Sequence, residues 1–287
     1  MKRRYYFALL VSAPLLAAVP QAPPEFCVEN VCAGSAPSGS FTAWDDFEAS
    51  TLQKPWAIET DGGPNTSVSL SSDVALSGKQ SIKSVITRDS AADFRAEIRH
   101  SMGQPGASPW NQDLWYSISI YLPDSFVTSS GRDILVQWHS YDWLEPKPDG
   151  VTDMETKTSP AFGIQVRDGD WQIIRRPNVA QPSLEATQES YTTTIGPYKK
   201  GVWNKWVCRL RFHWINGQSQ CWLNGEEVYN VNGGNSANDI YAPYWKFGNY
   251  RVANKTDAGE SGVSPRIVYF DNARVQFSGG SLASISN

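Results

Sequence analysis

Three short stretches of the sequence carry polar side chains two residues apart, the spacing that puts them on one face of an extended strand. Residues 95–99 read RAEIR, residues 137–139 read QWH, and residues 244–250 read YWKFGNY. Their polar groups are guanidinium, carboxamide, imidazole, ammonium and phenol. Guanidinium and carboxamide donors stabilise negative charge, and imidazole exchanges a proton near neutral pH. Together these groups are suited to acid–base chemistry on an anionic substrate.

Each stretch alone also has a structural explanation. Arg95, Glu97 and Arg99 fit a solvated strand face with ion pairs to neighbouring strands. A strand histidine such as His139 often has only a structural role, and Gly248 fits a β-bulge as well as the close approach of a sugar ring. The occurrence of all three polar faces in one chain is what favours a functional site.

The elements that must position these groups are predicted to be strands. Short runs rich in β-branched and aromatic residues alternate with Gly, Pro, Asn and Asp, and no dozen residues show a helical period. This pattern predicts an all-β fold, a β-jelly-roll sandwich of two antiparallel sheets, over residues 41–277. By alternation, Trp138 and Phe247 point away from the polar face and into the core.

In this order, the three stretches resemble the signature strands of the β-jelly-roll, concanavalin-like polysaccharide lyases, in which RxEhR, QxH and YxKxGxY strands line one concave sheet. The resemblance covers most of the predicted domain. It is strongest with the heparin lyase I and glucuronan lyase branch, and alginate lyases share the three motifs. It implies an enzyme that cleaves a uronic-acid polysaccharide by β-elimination and leaves a 4,5-unsaturated uronate end.

The resemblance also implies catalytic roles. Arg95 and Gln137 would neutralise the substrate carboxylate, which makes the C5 proton acidic enough to remove. His139 is then the candidate base. Tyr250 is the candidate acid, or both base and acid for a substrate of the other C5 geometry. Lys246 would supply positive charge to that tyrosine.

Further side chains are candidates for substrate binding because they are basic, share a motif face, or offer aromatic surface in loops near the motifs. They are Glu97, Arg99, Tyr141, Trp143 and Arg251. The basic residues are too sparse for a heavily sulfated chain. We therefore expect a carboxylate-only polymer, of glucuronan or alginate type, rather than heparin.

Charge and targeting signals limit the partners. Residues 1–22 have the basic, then apolar, then small-residue pattern of a secretory signal peptide, which predicts a secreted protein. Loss of its three basic residues takes the formal net charge from −4 to −7. An acidic chain of this kind is a poor ligand for nucleic acid or anionic membrane. We expect a monomer with a linker over residues 23–40 and a flexible tail over residues 278–287.

Acidic residues near both ends of the domain could hold a structural calcium ion, which the lyases of this branch often bind. Asp46, Glu48 and Asp271 supply the hard oxygen ligands that calcium prefers, although the same side chains could instead cap turns. The β-elimination itself requires no cofactor.

The four cysteines allow three pairings. Cys27 and Cys32 are close enough in sequence to close a small loop. A two-residue turn at Asn216-Gly217 would offset Cys208 from Cys221 by four residues, roughly 13 Å along a strand. That distance exceeds disulfide reach, so the turn predicts two buried thiols, whereas a bulge or a different turn would allow a Cys208–Cys221 bridge.

A carbohydrate-binding module or lectin of the same fold is the main alternative function. It would explain the secretion signal and the 12 tryptophans, but not the acid–base groups on three separate strands. A glycoside hydrolase needs two facing carboxylates, and the strand context offers no such pair.

Overall fold

The computed structural model describes two short strands near the N-terminus and most of the chain from residue 42 onwards. The described ranges are 27–28, 31–32, 42–59, 63–88, 91–100, 110–140, 158–180, 183–239, 242–255, 265–276 and 279–286. The chain divides into two compact units, Met1–Gly34 and Ser35–Asn287. The predicted signal peptide lies outside the described residues.

The first unit contains two strands that pair antiparallel. They are β1 (Cys27–Val28) and β2 (Val31–Cys32), and Cys27 lies opposite Cys32. The segment predicted as a linker therefore contains two short paired strands. The loop closure predicted for Cys27 and Cys32 concerns side chains that lie outside the described part of the chain.

The second unit is built almost entirely from strands. They are β3 (Thr42–Asp45), β4 (Trp56–Glu59), β5 (Thr66–Ser71), β6 (Ser81–Ile86), β7 (Arg95–His100), β8 (Leu114–Tyr121), β9 (Asp133–His139), β10 (Phe162–Arg167), β11 (Asp170–Arg175), β12 (Tyr191–Pro197), β13 (Trp203–Arg211), β14 (Gln218–Leu223), β15 (Glu226–Asn232), β16 (Tyr244–Arg251) and β17 (Arg266–Gln276). Short 3₁₀ turns occur at Glu185–Thr187 and Val252–Lys255, and helix α1 spans Leu282–Ser286.

These strands form two antiparallel sheets, which confirms the predicted all-β jelly-roll sandwich. The first sheet has the order β12-β11-β10-β9-β16-β7-β4, and the second has β15-β14-β13-β8-β17-β6-β5 with β3 also paired to β17. Inward-facing aromatic and aliphatic side chains of both sheets form one core. Trp138 and Phe247 are fully buried in it, as the alternation predicts.

The β13–β14 hairpin has a different register from the predicted one. Cys208 lies directly opposite Cys221, and the two form a disulfide. The prediction of two free thiols is therefore wrong. The connection is a loop over residues 212–217, not a two-residue turn. The buried Asn235 side chain holds this loop open by bonding to backbone groups of Arg211, Gln218 and His213.

The predicted flexible tail is also corrected in part, because residues 282–286 form helix α1. Ile285 is buried and packs with Trp115, Val207 and Trp222 in a small second cluster. Trp115 and Trp222 are stacked there with ring centroids 5.6 Å apart. The apolar side chain of Ile285 in helix α1 therefore covers aromatic surface on the second sheet. Among the described residues, no helix is long and apolar enough to span a membrane.

Candidate functional site

The three polar stretches lie on adjacent strands of the first sheet, with β16 between β9 and β7. Their polar side chains share one face, because residues paired directly across antiparallel strands point the same way. The register places Tyr244 opposite His139, Lys246 between Gln137 and Arg99, Gly248 opposite Glu97, and Tyr250 opposite Arg95. A set of groups that is dispersed over 156 positions of sequence thus becomes one continuous surface.

Gly248 allows β16 to follow β7 closely at the centre of this surface. Its φ of +142° is a conformation that side-chain-bearing residues rarely adopt. A Cβ atom there would lie 2.3 Å from the Ala96 carbonyl oxygen and 2.5 Å from the Glu97 Cα. The β9–β16 pairing also shifts by one residue between Phe247 and Tyr250. Gly248 therefore lies at a β-bulge, one of its two predicted explanations.

Four charged side chains form a compact network beneath the surface. Glu59, from edge strand β4, contacts Arg95 at 2.6 Å and Lys246 Nζ at 3.2 Å through each carboxylate oxygen. Glu97 contacts Arg95 Nε at 3.1 Å and Lys246 Nζ at 3.8 Å, and it accepts a hydrogen bond from Gln137. Two cations and two carboxylates thus compensate one another within the sheet.

The burial of this network alters the proton affinities of its members. Burial raises the pKa of Glu97, while the positive charges of Lys246 and Arg95 oppose that rise. For Lys246, burial alone would lower the pKa, but the negative charge of Glu97 and the nearby Tyr244 and Glu59 groups raise it overall. Lys246 therefore stays protonated and serves as a fixed cation.

His139 stands at one edge of this network with a defined tautomer. Its Nδ1–H donates to the Ser140 carbonyl at 2.9 Å, so the neutral ring has an unprotonated Nε2. Burial, followed by the positive charge of Lys246, lowers the pKa of His139 to about 3, and the charges of Arg95 and Lys255 act in the same direction. The imidazole is therefore neutral at ordinary pH, as a general base requires.

The tyrosine next to His139 is Tyr244. The two ring centroids are 6.1 Å apart, and the residues are directly paired across β9 and β16. Burial raises the pKa of Tyr244, which keeps its phenol protonated. Tyr250, the predicted acid, lies opposite Ile134 instead, six residues further along β16. Because a base and an acid must reach neighbouring atoms of one sugar linkage, the register favours Tyr244 over Tyr250 as the partner of His139.

Tyr250 belongs to a second group at the other end of the polar face. Its ring packs edge-to-face on Phe94, with centroids 5.7 Å apart. The Arg95 guanidinium lies 5.0 Å from the Tyr250 ring centroid, and the Lys255 ammonium lies 5.1 Å from it. Two cations therefore flank one phenol ring.

Several predicted substrate contacts have other positions. Arg251 is fully buried on the core side of β16 and pairs with Asp133 at 2.9 Å, so its predicted substrate contact is wrong. Glu97 is only 1% exposed and binds protein groups, which makes it a support for the site and not a surface contact. Arg99 is exposed on the polar face, as predicted. Tyr141 and Trp143 lie outside the described residues.

The three acidic residues predicted to bind calcium act as backbone acceptors. Glu48 Oε1 accepts the N–H groups of Lys79 and Gln80 at 2.9 Å each, and Asp46 accepts that of Glu48 at 3.4 Å. Both Asp271 carboxylate oxygens also accept backbone N–H groups. In the described ranges, no three His, Cys, Asp or Glu side chains converge as a metal site. These contacts fit turn caps better than calcium ligands, and the calcium ion stays a prediction.

Three residues of the site were missed by the sequence analysis: Glu59, Tyr244 and Lys255. Tyr244 had a signal, because it shares the strand face of Lys246 and Tyr250. Glu59 and Lys255 had none, since one lies on an edge strand and the other on a 3₁₀ turn. Only the pairing of β4 with β7 and the path of the chain after β16 bring them to the site.

The fold and the site together define a class: a jelly-roll sandwich with acid–base groups and compensated charges on three adjacent strands of one sheet. Residues 36–274 match the family described as polysaccharide lyase. The chain belongs to that family, which confirms the resemblance seen in the motifs.

Solved structures show the same fold. The endo-β-1,4-glucuronan lyase from the fungus Trichoderma reesei is similar with a TM-score of 0.65 and 16% identity, over 81% of this chain and 94% of that one. The cellulose-induced protein Cip1 is similar with a TM-score of 0.52 and 17% identity, over 81% and 96%. No curated protein sequence matches the chain.

Proposed function

We propose that this protein is a secreted, monomeric polysaccharide lyase that cleaves a uronic-acid polymer of glucuronan or alginate type by β-elimination. The observation that carries the proposal is the pairing of a neutral His139 with a protonated Tyr244 beside fixed cations. Glucuronan is the first substrate to test, because a solved structure with this fold is a glucuronan lyase.

In the proposed reaction, His139 Nε2 removes the C5 proton of the uronate. The electron pair of the C5–H bond forms the C4=C5 double bond, the C4–O4 bond breaks, and the Tyr244 phenol protonates the leaving O4. Positive charge near the carboxylate stabilises the enolate-like intermediate. The cations also lower the basicity of His139, so a bound carboxylate that offsets their charge raises it for the proton transfer.

The test is incubation of the purified protein with glucuronan, polymannuronate, polyguluronate, hyaluronan and heparin, followed by the ultraviolet absorbance of the conjugated C4=C5 product. A rise on glucuronan or an alginate polymer is the expected result. A faster rise on heparin would contradict the carboxylate-only substrate. New reducing ends without absorbance would indicate a hydrolase, and retardation in a polymer-containing gel without cleavage would indicate a binding module.

The structural calcium is a separate proposal that the chemistry does not need. A lower melting temperature in EDTA would support it, whereas an unchanged melting curve would leave Asp46, Glu48 and Asp271 as turn caps.

A further inference from the structure

The cations of the site divide into compensated and uncompensated ones. Arg95 and Lys246 each contact two carboxylates, Glu59 and Glu97. A substrate carboxylate that approached either cation would compete with these buried ion pairs. Such competition is costly, because a displaced buried carboxylate loses its partner. The two cations are therefore better suited to hold the sheet than to bind the substrate.

Lys255 differs from both. It ends the 3₁₀ turn that follows β16, its side chain is exposed, and no carboxylate in the described part of the chain pairs with it. Its ammonium lies over two aromatic rings, 4.7 Å from the Phe94 centroid and 5.1 Å from the Tyr250 centroid. The aromatic faces orient the charge without neutralising it.

The turn that carries Lys255 is fixed to the rest of the site. The buried Asn254 donates from Nδ2 to the Asp93 carbonyl at 2.7 Å, and the Arg251 N–H donates to the Phe94 carbonyl at 2.8 Å. Lys255 is thus attached to the backbone segment that leads into Arg95. The charge of Lys255 also lowers the imidazole pKa of His139, by less than burial, Lys246 and Arg95 do.

From this arrangement we propose that Lys255 binds a substrate carboxylate at the Tyr250 end of the polar face, beside the linkage that His139 and Tyr244 act on, and that Arg95 and Lys246 act as positioning residues within that face. This inference rests on the proposed lyase function. The ligand class is an unesterified uronate, since an ammonium gains a charge-assisted hydrogen bond only from the ionised carboxylate.

The experiment compares wild type with Lys255→Met, Lys255→Arg and a control, Lys199→Met, on glucuronan and on its methyl-esterified form. Lys199 is an exposed lysine in the β12–β13 connection. We expect Lys255→Met to lose about 10- to 100-fold in kcat/KM on the free acid. It should lose much less on the ester, so the acid-to-ester preference collapses. Lys255→Arg should keep most of that preference, and Lys199→Met should match wild type.

If Lys255 had a purely structural role, Lys255→Met would lower kcat/KM equally on the acid and the ester. An unchanged acid-to-ester ratio of kcat/KM in this variant would therefore overturn the inference, while the lyase function stood. Retardation of each variant in a glucuronan gel separates the two proposals. If wild type bound but did not cleave, and Lys255→Met bound more weakly, the lyase function would fail and the carboxylate contact would stand. If wild type neither bound nor cleaved any uronate polymer, both would fall.

Discussion

At the scale of single residues, the site depends on which groups hold a proton before the substrate binds. His139 is neutral because burial and neighbouring cations oppose its protonation, and Tyr244 is protonated because burial opposes its ionisation. One environment thus prepares a base and an acid on paired residues. The same physical effect, desolvation of the charged form, acts on both.

We predict that His139→Ala lowers kcat by about 10²- to 10⁴-fold, the usual contribution of a general base. The matched control is His100→Phe, which removes a histidine from the core face of β7 and should leave activity near wild type. Steady-state rates and melting temperatures of both variants provide the measurement. Full activity of His139→Ala on every accepted substrate would contradict its role as the base.

The pH dependence of the wild-type enzyme provides a second check on His139. Since its pKa is about 3 in the free protein, His139 is already unprotonated at pH 5. We therefore predict no loss of kcat/KM from histidine protonation between pH 7 and pH 5. A sharp fall centred near 6.5, the ordinary histidine value, would show that the imidazole is more basic than its surroundings imply.

At the scale of strands, the sequence predicted which face of the sheet a side chain lies on better than it predicted which residues are its neighbours across the strands. Alternation correctly placed His139, Lys246 and Arg99 on one face. It could not choose between Tyr244 and Tyr250, because both have the same parity on β16. The choice depends on the β9–β16 register and its shift, which are set by the packing of the whole sheet.

Two other differences arise from contacts distant in sequence. The Asn216-Gly217 pair has the composition of a tight turn, but Asn235 binds the loop backbone and moves the β13–β14 register, so that Cys208 meets Cys221. Arginine is usually a surface residue, but the charge of Arg251 is compensated by the buried Asp133 inside the core. Neither partner can be identified from local pattern.

Gly248 provides the prediction at this scale. Gly248→Ala should destabilise the protein well beyond the roughly 1–3 kcal/mol of positive-φ strain, because the new Cβ would collide with the β7 backbone. Gly225→Ala is the matched control, since Gly225 also has positive φ (+88°) but no atom within 4 Å of its Cβ position. Urea unfolding would measure both. Equal losses of unfolding free energy in the two variants would mean that the collision of the new Cβ with β7 adds nothing to the positive-φ strain.

At the scale of the whole molecule, two histidines on β7 and β9 make folding sensitive to acid. Burial lowers the pKa of both His100 and His139 to about 3 in the folded chain, whereas the unfolded chain binds these protons near 6.5. Below 6.5 the unfolded state therefore holds more protons. By linkage, the free energy of unfolding falls as the pH decreases from 6.5 towards 3.

We predict a fall of up to about 1.4 kcal/mol per pH unit for each histidine in this window. In His100→Phe the free energy of unfolding should fall less steeply between pH 6 and pH 5, because the variant lacks the roughly one proton that His100 takes up on unfolding. Above pH 7 the free energies of unfolding of variant and wild type should change with pH in parallel. Urea unfolding across this range is the measurement. Identical slopes below pH 6 would show that His100 protonates without cost in the folded state.

The compensated group of Glu59, Arg95, Glu97 and Lys246 has a consequence for how this protein can change. Its charges are satisfied by the sheet itself, and its member Lys246 lies 5.4 Å from the ring centroid of Tyr244, the residue paired with His139. Arg99 and Lys255 lie outside that group and reach solvent. Under the proposed lyase function, we expect substitutions at these two positions to alter which polymer is accepted while the chemical groups keep their geometry. Divergence towards new substrates, in nature or in a library of variants, has a path that does not pass through an inactive protein.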